Sequence, residues 1–195
     1  MEKMNDTLLN RLNKGLKAIT DPAFLTGEGL GNETPFHIFD YPAENEIEVR
    51  NFIQNKLIPK IGKNHTEIKL LHINLFELVI EYLKSEGYYE GVLELQESGD
   101  EEALMEAFEG VLHSETIAEL IVEKQKDQDS NLIFISGVGG LWNMIRLQSL
   151  LSNLQSKLGM VPLVLFFPGT YTDTGLNMFD EFEEDRYYRA FKLVP

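Results

Sequence analysis

The sequence predicts a single α/β domain. It reads as a three-layer sandwich with a mainly parallel central sheet of about five strands, P-loop-like or Rossmann-like in outline. Three observations predict it. The apolar runs are continuous rather than alternating, as in strands covered on both faces. They alternate along the chain with segments of helical period. The composition is that of an ordinary globular domain, 43% hydrophobic and 25% charged over 195 residues, enough to bury a sizeable core.

The elements follow in order. Leu8, Leu9, Leu12, Leu16 and Ile19 form one apolar stripe, so 5–19 reads as an amphipathic helix. Residues 20–34 are rich in Gly, Thr and Pro and read as a loop. Residues 36–39 form a short strand; Asp40 is placed to cap a helix over 43–57, with Pro42 in its first turn. Ile47, Phe52, Ile53 and Leu57 would face inward, and Pro59 and Gly62 would end that helix. Residues 68–75 (IKLLHINL) read as a buried strand running into a helix over 76–84. Residues 101–126 are helical with an interruption near Gly110. Residues 132–135 (LIFI) form the third strand, followed by a Gly-rich turn and a helix over 141–158. Residues 163–167 (LVLFF) form the fourth, closed by a Pro168-Gly169 turn, and 188–194 offer a fifth. Crossovers between parallel strands are expected to be right-handed.

Several function classes drop out. The chain has no cysteine, which removes disulfides, thiol nucleophiles, Fe–S clusters and Cys-ligated zinc. Residues 1–20 carry charges throughout and have no apolar core, so a secretory signal is not expected. No run approaches the ~18 apolar residues of a membrane helix, and the expected setting is cytoplasmic. His37, His65, His72 and His113 show no metal-ligand spacing, and there is no Gly-x-Ser-x-Gly elbow. No catalytic motif, metal or cofactor is expected.

The net charge is −15 and uneven. Residues 86–129 hold fourteen carboxylates against Lys124 and Lys126, a net of −12, and the rest of the chain only −3. Such a surface repels phosphate backbones, so direct nucleic-acid binding is not expected. It suits either solubility or docking of a basic partner.

Ligands of open parallel sheets bind at the carboxyl ends of the strands. Those ends define a candidate binding rim: Asp40, Asn74, Ser136, Gly137, Gly139, Gly140, Gly169, Tyr171 and Asp173, with Arg146 and Arg189 as nearby cations. The Ser136–Trp142 stretch (SGVGGLW) is a strand, a Gly-rich turn and a helix start, an arrangement that holds anions on free N–H groups. It lacks the Lys-Ser/Thr of a Walker loop, and Trp142 stands where the dinucleotide fingerprint needs its last Gly. A tight structural turn explains it equally. Arg189, in YYRAF, could fork onto a carboxylate or lock a loop. The residues therefore leave two readings open: an interaction subunit, or a degenerate nucleotide- or anion-binding protein using Gly137–Gly140 with Asp40, Arg146 and Asp173.

The run Gly137-Val-Gly-Gly-Leu-Trp142, then Ile145-Arg146, Ser149-Leu-Leu151 and Leu154, then Val161-Pro-Leu-Val164, Phe167-Pro-Gly169-x-Tyr171 and Tyr187-Tyr-Arg-Ala-Phe191, resembles the BrxB family of BREX, the bacteriophage exclusion systems. Pro35–Pro42 and Asn74-Leu75-Phe76 resemble its N-terminal half. Two positions depart from the family pattern: Asn143 stands where a Pro is common, and Gln148 where a His is. The resemblance implies a non-catalytic subunit of a defence assembly, associated with other BREX proteins and chiefly with the alkaline-phosphatase-like PglZ component. It supplies no reaction.

Overall fold

The computed structural model describes residues 6–27, 35–172, 175–184 and 190–194. The chain opens with helix α1 (Asp6–Ile19) and the short α2 (Pro22–Thr26), which Asp21 caps through its side chain. Strand β1 (Phe36–Tyr41) leads through a 3-10 turn (Ala43–Asn45) into α3 (Glu46–Phe52), a π-helical turn (Ile53–Leu57) and α4 (Ile58–Asn64). Strand β2 (Leu70–Asn74) is followed by α5 (Leu75–Ser85), α6 (Tyr89–Ser98), α7 (Glu101–Val111) and α8 (Ser114–Asp127). Strand β3 (Leu132–Ser136) leads to a 3-10 turn (Gly139–Leu141) and α9 (Leu147–Leu158). Strand β4 (Leu163–Thr172), the hairpin strands β5 (Gly175–Met178) and β6 (Phe182–Glu184), and β7 (Phe191–Lys192) complete the order.

The sheet runs β2-β3-β4-β1-β7, all parallel. β5 adds antiparallel to the end of β4, and β6 to β5. Strand residues alternate between two cores. Ile133, Ile135, Leu163, Leu165 and Phe167 meet the buried sides of α5, α7, α8 and α9. Leu132, Phe134, Val164 and Phe166 meet α1, α3 and α4 on the other face. Both faces are covered, which is why the strands read as unbroken apolar runs. The expected three-layer sandwich is therefore the architecture found.

The differences have local causes. Ile47 points outward, 64% exposed, because the 3-10 turn rotates the start of α3. Pro59 does not end the helix: the Ile58 N–H reaches back to the Ile53 carbonyl in the wider π turn, and Pro59 then sits in the first turn of α4 where no N–H is needed. Gly110 stays inside α7, and the break falls at Leu112–His113, with the Leu112 side chain buried as an anchor. The helix expected from 141 starts at Leu147, because Asn143 takes a positive φ of 67° that a helix cannot include. The loop expected at 20–34 contains α2, and 86–98 contains α6. The final strand is only Phe191–Lys192 within the described residues. Among these residues no helix is long and apolar enough to cross a membrane.

Candidate functional site

The connection after β1 covers one face of the sheet, and those after β2 and β3 cover the other. These connections diverge at the carboxyl ends of the strands, the place where ligands of parallel sheets are held. A cleft of about 470 Å³ lies there. Asn74, Gly137, Gly139, Gly140 and Pro168 line it, with Glu46 and Arg50 from α3, Phe76 and Glu77 from α5, and Phe179 from the β5–β6 turn. The rim expected from strand ends is thus assembled at Asn74, Gly137, Gly139 and Gly140.

The rim's polar groups are mostly engaged within the protein. Asn74 caps α5: its Oδ1 accepts the Glu77 N–H, and its Nδ2 donates to Glu77 Oε1 at 2.9 Å. Gly137 follows β3 with φ of 72°, next to that amide. Ser136 is buried, its Oγ 2.9 Å from His72 Nε2. Burial lowers the His72 pKa, with Glu77 opposing weakly, so the imidazole is held neutral. The Gly-rich turn passes into a single 3-10 turn rather than a long helix, so it presents no extended helix N-terminus to an anion. Glu46 and Glu77 on the walls disfavour one further.

A second depression, of about 340 Å³, holds Asp40 and Gly169 with Arg11, Tyr41, Thr170, Asp180 and Lys192. Asp40 is not a helix cap. Its side chain is 6% exposed and lies between Arg11 Nη2 at 2.5 Å and Lys192 Nζ at 2.7 Å, and it also accepts the Tyr171 N–H at 3.1 Å. Arg11 donates as well to the Asp40 carbonyl, and its guanidinium lies over the Phe39 ring. The carboxylate therefore ties α1 to β1, β4 and β7. Beside it, Tyr41 donates to Glu46 Oε2 at 2.5 Å; burial and that carboxylate together push the phenol's pKa far up.

Pro168-Gly169 is not a turn. β4 runs through it to Thr172, and a bulge opposite Tyr41 absorbs the proline's missing N–H. Gly169 adopts φ of 145°, and a Cβ there would lie 2.1 Å from the Asn177 carbonyl oxygen across the hairpin. Tyr171 is consequently buried in the strand, its hydroxyl donating to the Ala190 carbonyl at 2.6 Å, rather than projecting at the rim. Arg146 is exposed before α9 and lines neither cleft. Asp173 and Arg189 lie outside the described residues. The expected set missed Phe76, Phe179, Glu77, Arg11 and Lys192. Their only sequence signal was proximity to a strand end, or none. Among the described residues no group of three or more His, Asp or Glu side chains could hold a metal ion.

Fold and cleft define a three-layer α/β sandwich whose strand-end cleft is floored by glycines and walled by two phenylalanines. The family model described as BREX protein BrxB matches residues 71–193, from β2 to the end of β7. The chain is 34% identical to the BREX protein BrxB of Bacillus cereus (strain H3081.97), over 100% of this chain and 99% of that protein. It is also 34% identical to the BREX protein BrxB of Escherichia coli O9:H4 (strain HS), over 95% of this chain and 90% of that protein. The chain belongs to the BrxB family. No solved structure matches it.

Proposed function

We propose that the protein is a non-catalytic interaction subunit of a BREX anti-phage defence assembly, acting in the cytoplasm, and that it binds the alkaline-phosphatase-like PglZ component. Family membership supports the assembly. The observation that carries the interaction role is the α6–α7 hairpin. Nine carboxylates lie between Glu86 and Glu109 with no Lys or Arg among them. None of the nine has an ion-pair partner among the described residues. α6 has no buried residue, and Leu93 and Leu95 are only half covered. Unpaired like charge around incompletely covered apolar side chains costs stability in the free protein. A basic partner would relieve both terms.

Co-expression of the tagged protein with the PglZ component, followed by affinity capture and gel filtration, tests this. Co-elution at a fixed stoichiometry is expected. Failure to co-elute, with both proteins folded, overturns the assigned partner. The competing reading is a degenerate nucleotide or anion site at Gly137–Gly140, a turn that lines the cleft. It requires thermal stabilisation by ATP, GTP or NAD with Mg²⁺, because a ligand that binds only the folded state raises Tm. The carboxylates of Glu46 and Glu77 argue for a flat response.

A further inference from the structure

We infer that the strand-end cleft receives an arginine side chain presented by the protein partner. This deepens the interaction-subunit reading and rests on it. The first observation is the aromatic lining. Phe76 stands 41% exposed at the start of α5. Its ring packs so closely on Gly140 that a Cβ there would lie 3.0 Å away, and Phe179 lies equally close to Gly139. The two glycines are the floor on which the rings rest. Trp142 and Phe182, the latter also 41% exposed, extend the aromatic surface, their rings stacked at 4.9 Å.

The second observation is charge. Glu77 Oε1 is occupied by Asn74, while Oε2 has no partner among the described residues. Glu46 is likewise engaged through only one oxygen, by Tyr41. The single cation of the lining, Arg50, belongs to α3, whose buried side joins the opposite core from that of α5. Arg50 thus stands on the α3 wall with Glu46, and Phe76 and Glu77 stand on the α5 wall of the same cleft. An exposed aromatic face beside a half-free carboxylate suits a planar guanidinium, which stacks and forks at once.

The third observation is strain. Phe179 and Asp180 both hold left-handed backbone, φ of 58° and 59°, where bulky residues are outliers. Asn or Gly would suit that turn better. An ill-suited phenylalanine held against the cleft floor is the pattern expected when a binding surface is favoured over local stability.

The test titrates N-acetyl-arginine N-methylamide into the ¹⁵N-labelled full chain, with the lysine and leucine analogues alongside. Amide shifts at Phe76, Glu77, Gly139 and Gly140 are expected, with arginine binding about fivefold more tightly than leucine. Glu77→Gln, which keeps an acceptor for Asn74, should weaken the arginine analogue about fivefold. Phe179→Asn should weaken it similarly without lowering Tm. Equal affinity for leucine, shifts confined to α6–α7, or no shifts overturn the proposal. The double variant Phe76→Ala/Glu77→Gln is then tested for capture by the PglZ component. Lost capture supports the cleft as the partner's site. Retained capture overturns the cleft and leaves the subunit reading standing. Arginine-specific shifts in a wild-type protein that captures no PglZ component overturn that partner and leave the cleft's chemistry intact.

Discussion

The Asn74 side chain occupies the space that a Cβ on Gly137 would need: the added atom would lie 2.1 Å from Asn74 Oδ1. The two residues sit at the ends of adjacent parallel strands, and β2 pairs Asn74 with Ser136, the neighbour of Gly137. Gly137→Ala would meet both this clash and the positive φ. It should cost about 2–3 kcal/mol, from the left-handed backbone and the disturbed cap on α5. Chemical denaturation measures it. Asn74→Ala alone should cost about 1 kcal/mol. The double variant should cost less than the sum, because Asn74→Ala removes the obstacle that Gly137→Ala creates.

Arg11→Ala should destabilise by about 2–3 kcal/mol, less than the ~3–5 kcal/mol for stripping a buried charge of its sole partner. Lys192 remains beside Asp40 and limits the loss. A cycle with Asp40→Asn, read by urea unfolding, should give a favourable coupling. Independent effects would show that the guanidinium acts only through its packing on Phe39.

His37 sits between Phe24 and Phe191, with ring centroids 4.5 and 5.7 Å away. Burial pushes its pKa down to about 4, with the Pro35 backbone opposing, and Nδ1 makes no hydrogen bond of good geometry. The unfolded chain therefore takes up this proton first. The stabilisation is complete above pH 6.5 and is lost as pH falls towards 4, by about 3 kcal/mol in full. His37→Phe should flatten that part of the pH–stability curve. An unchanged slope would rule the imidazole out as its source.

Tyr171→Phe removes the bond to the Ala190 carbonyl and should cost about 1 kcal/mol. A change in Tm with no change in partner capture would match its buried place in β4.

Reversing Glu94, Glu97 and Glu101 to Lys leaves no buried group altered and should leave Tm unchanged or raised. It should slow association with the PglZ component and weaken its salt dependence. Unaltered capture would remove the α6–α7 hairpin from the interface.

Legibility followed the range of the forces involved. The stripe of α1 and the buried runs of β2, β3 and β4 are local patterns imposed by two covered sheet faces, and they were read within a few residues. Asn74, Gly137, Gly139 and Gly140 share one cleft because they follow neighbouring strands of one sheet. Pro168-Gly169 was misread because a turn dipeptide is also compatible with a bulge when a hairpin covers it. Pro59 was misread because a π turn spares its missing N–H. Asp40 has partners 29 and 152 positions away, which no local spacing reveals. Phe76 and Phe179 are single aromatics whose meaning depends on the glycines they rest on.

The Asp40 node also joins segments that are synthesised far apart in time. Its two cations lie 29 positions before it and 152 after it, and Arg11 reaches within 3.4 Å of the Val194 carbonyl. During translation α1 and β1 emerge early, yet the carboxylate keeps an empty side until Lys192 leaves the ribosome. The half-finished sheet lacks β4 and β7 on either side of β1 for most of that time. Closure of this contact is then a late, chain-length-dependent step, and a nascent chain stalled before β4 would expose the β1 edge to chaperones or to its future partner.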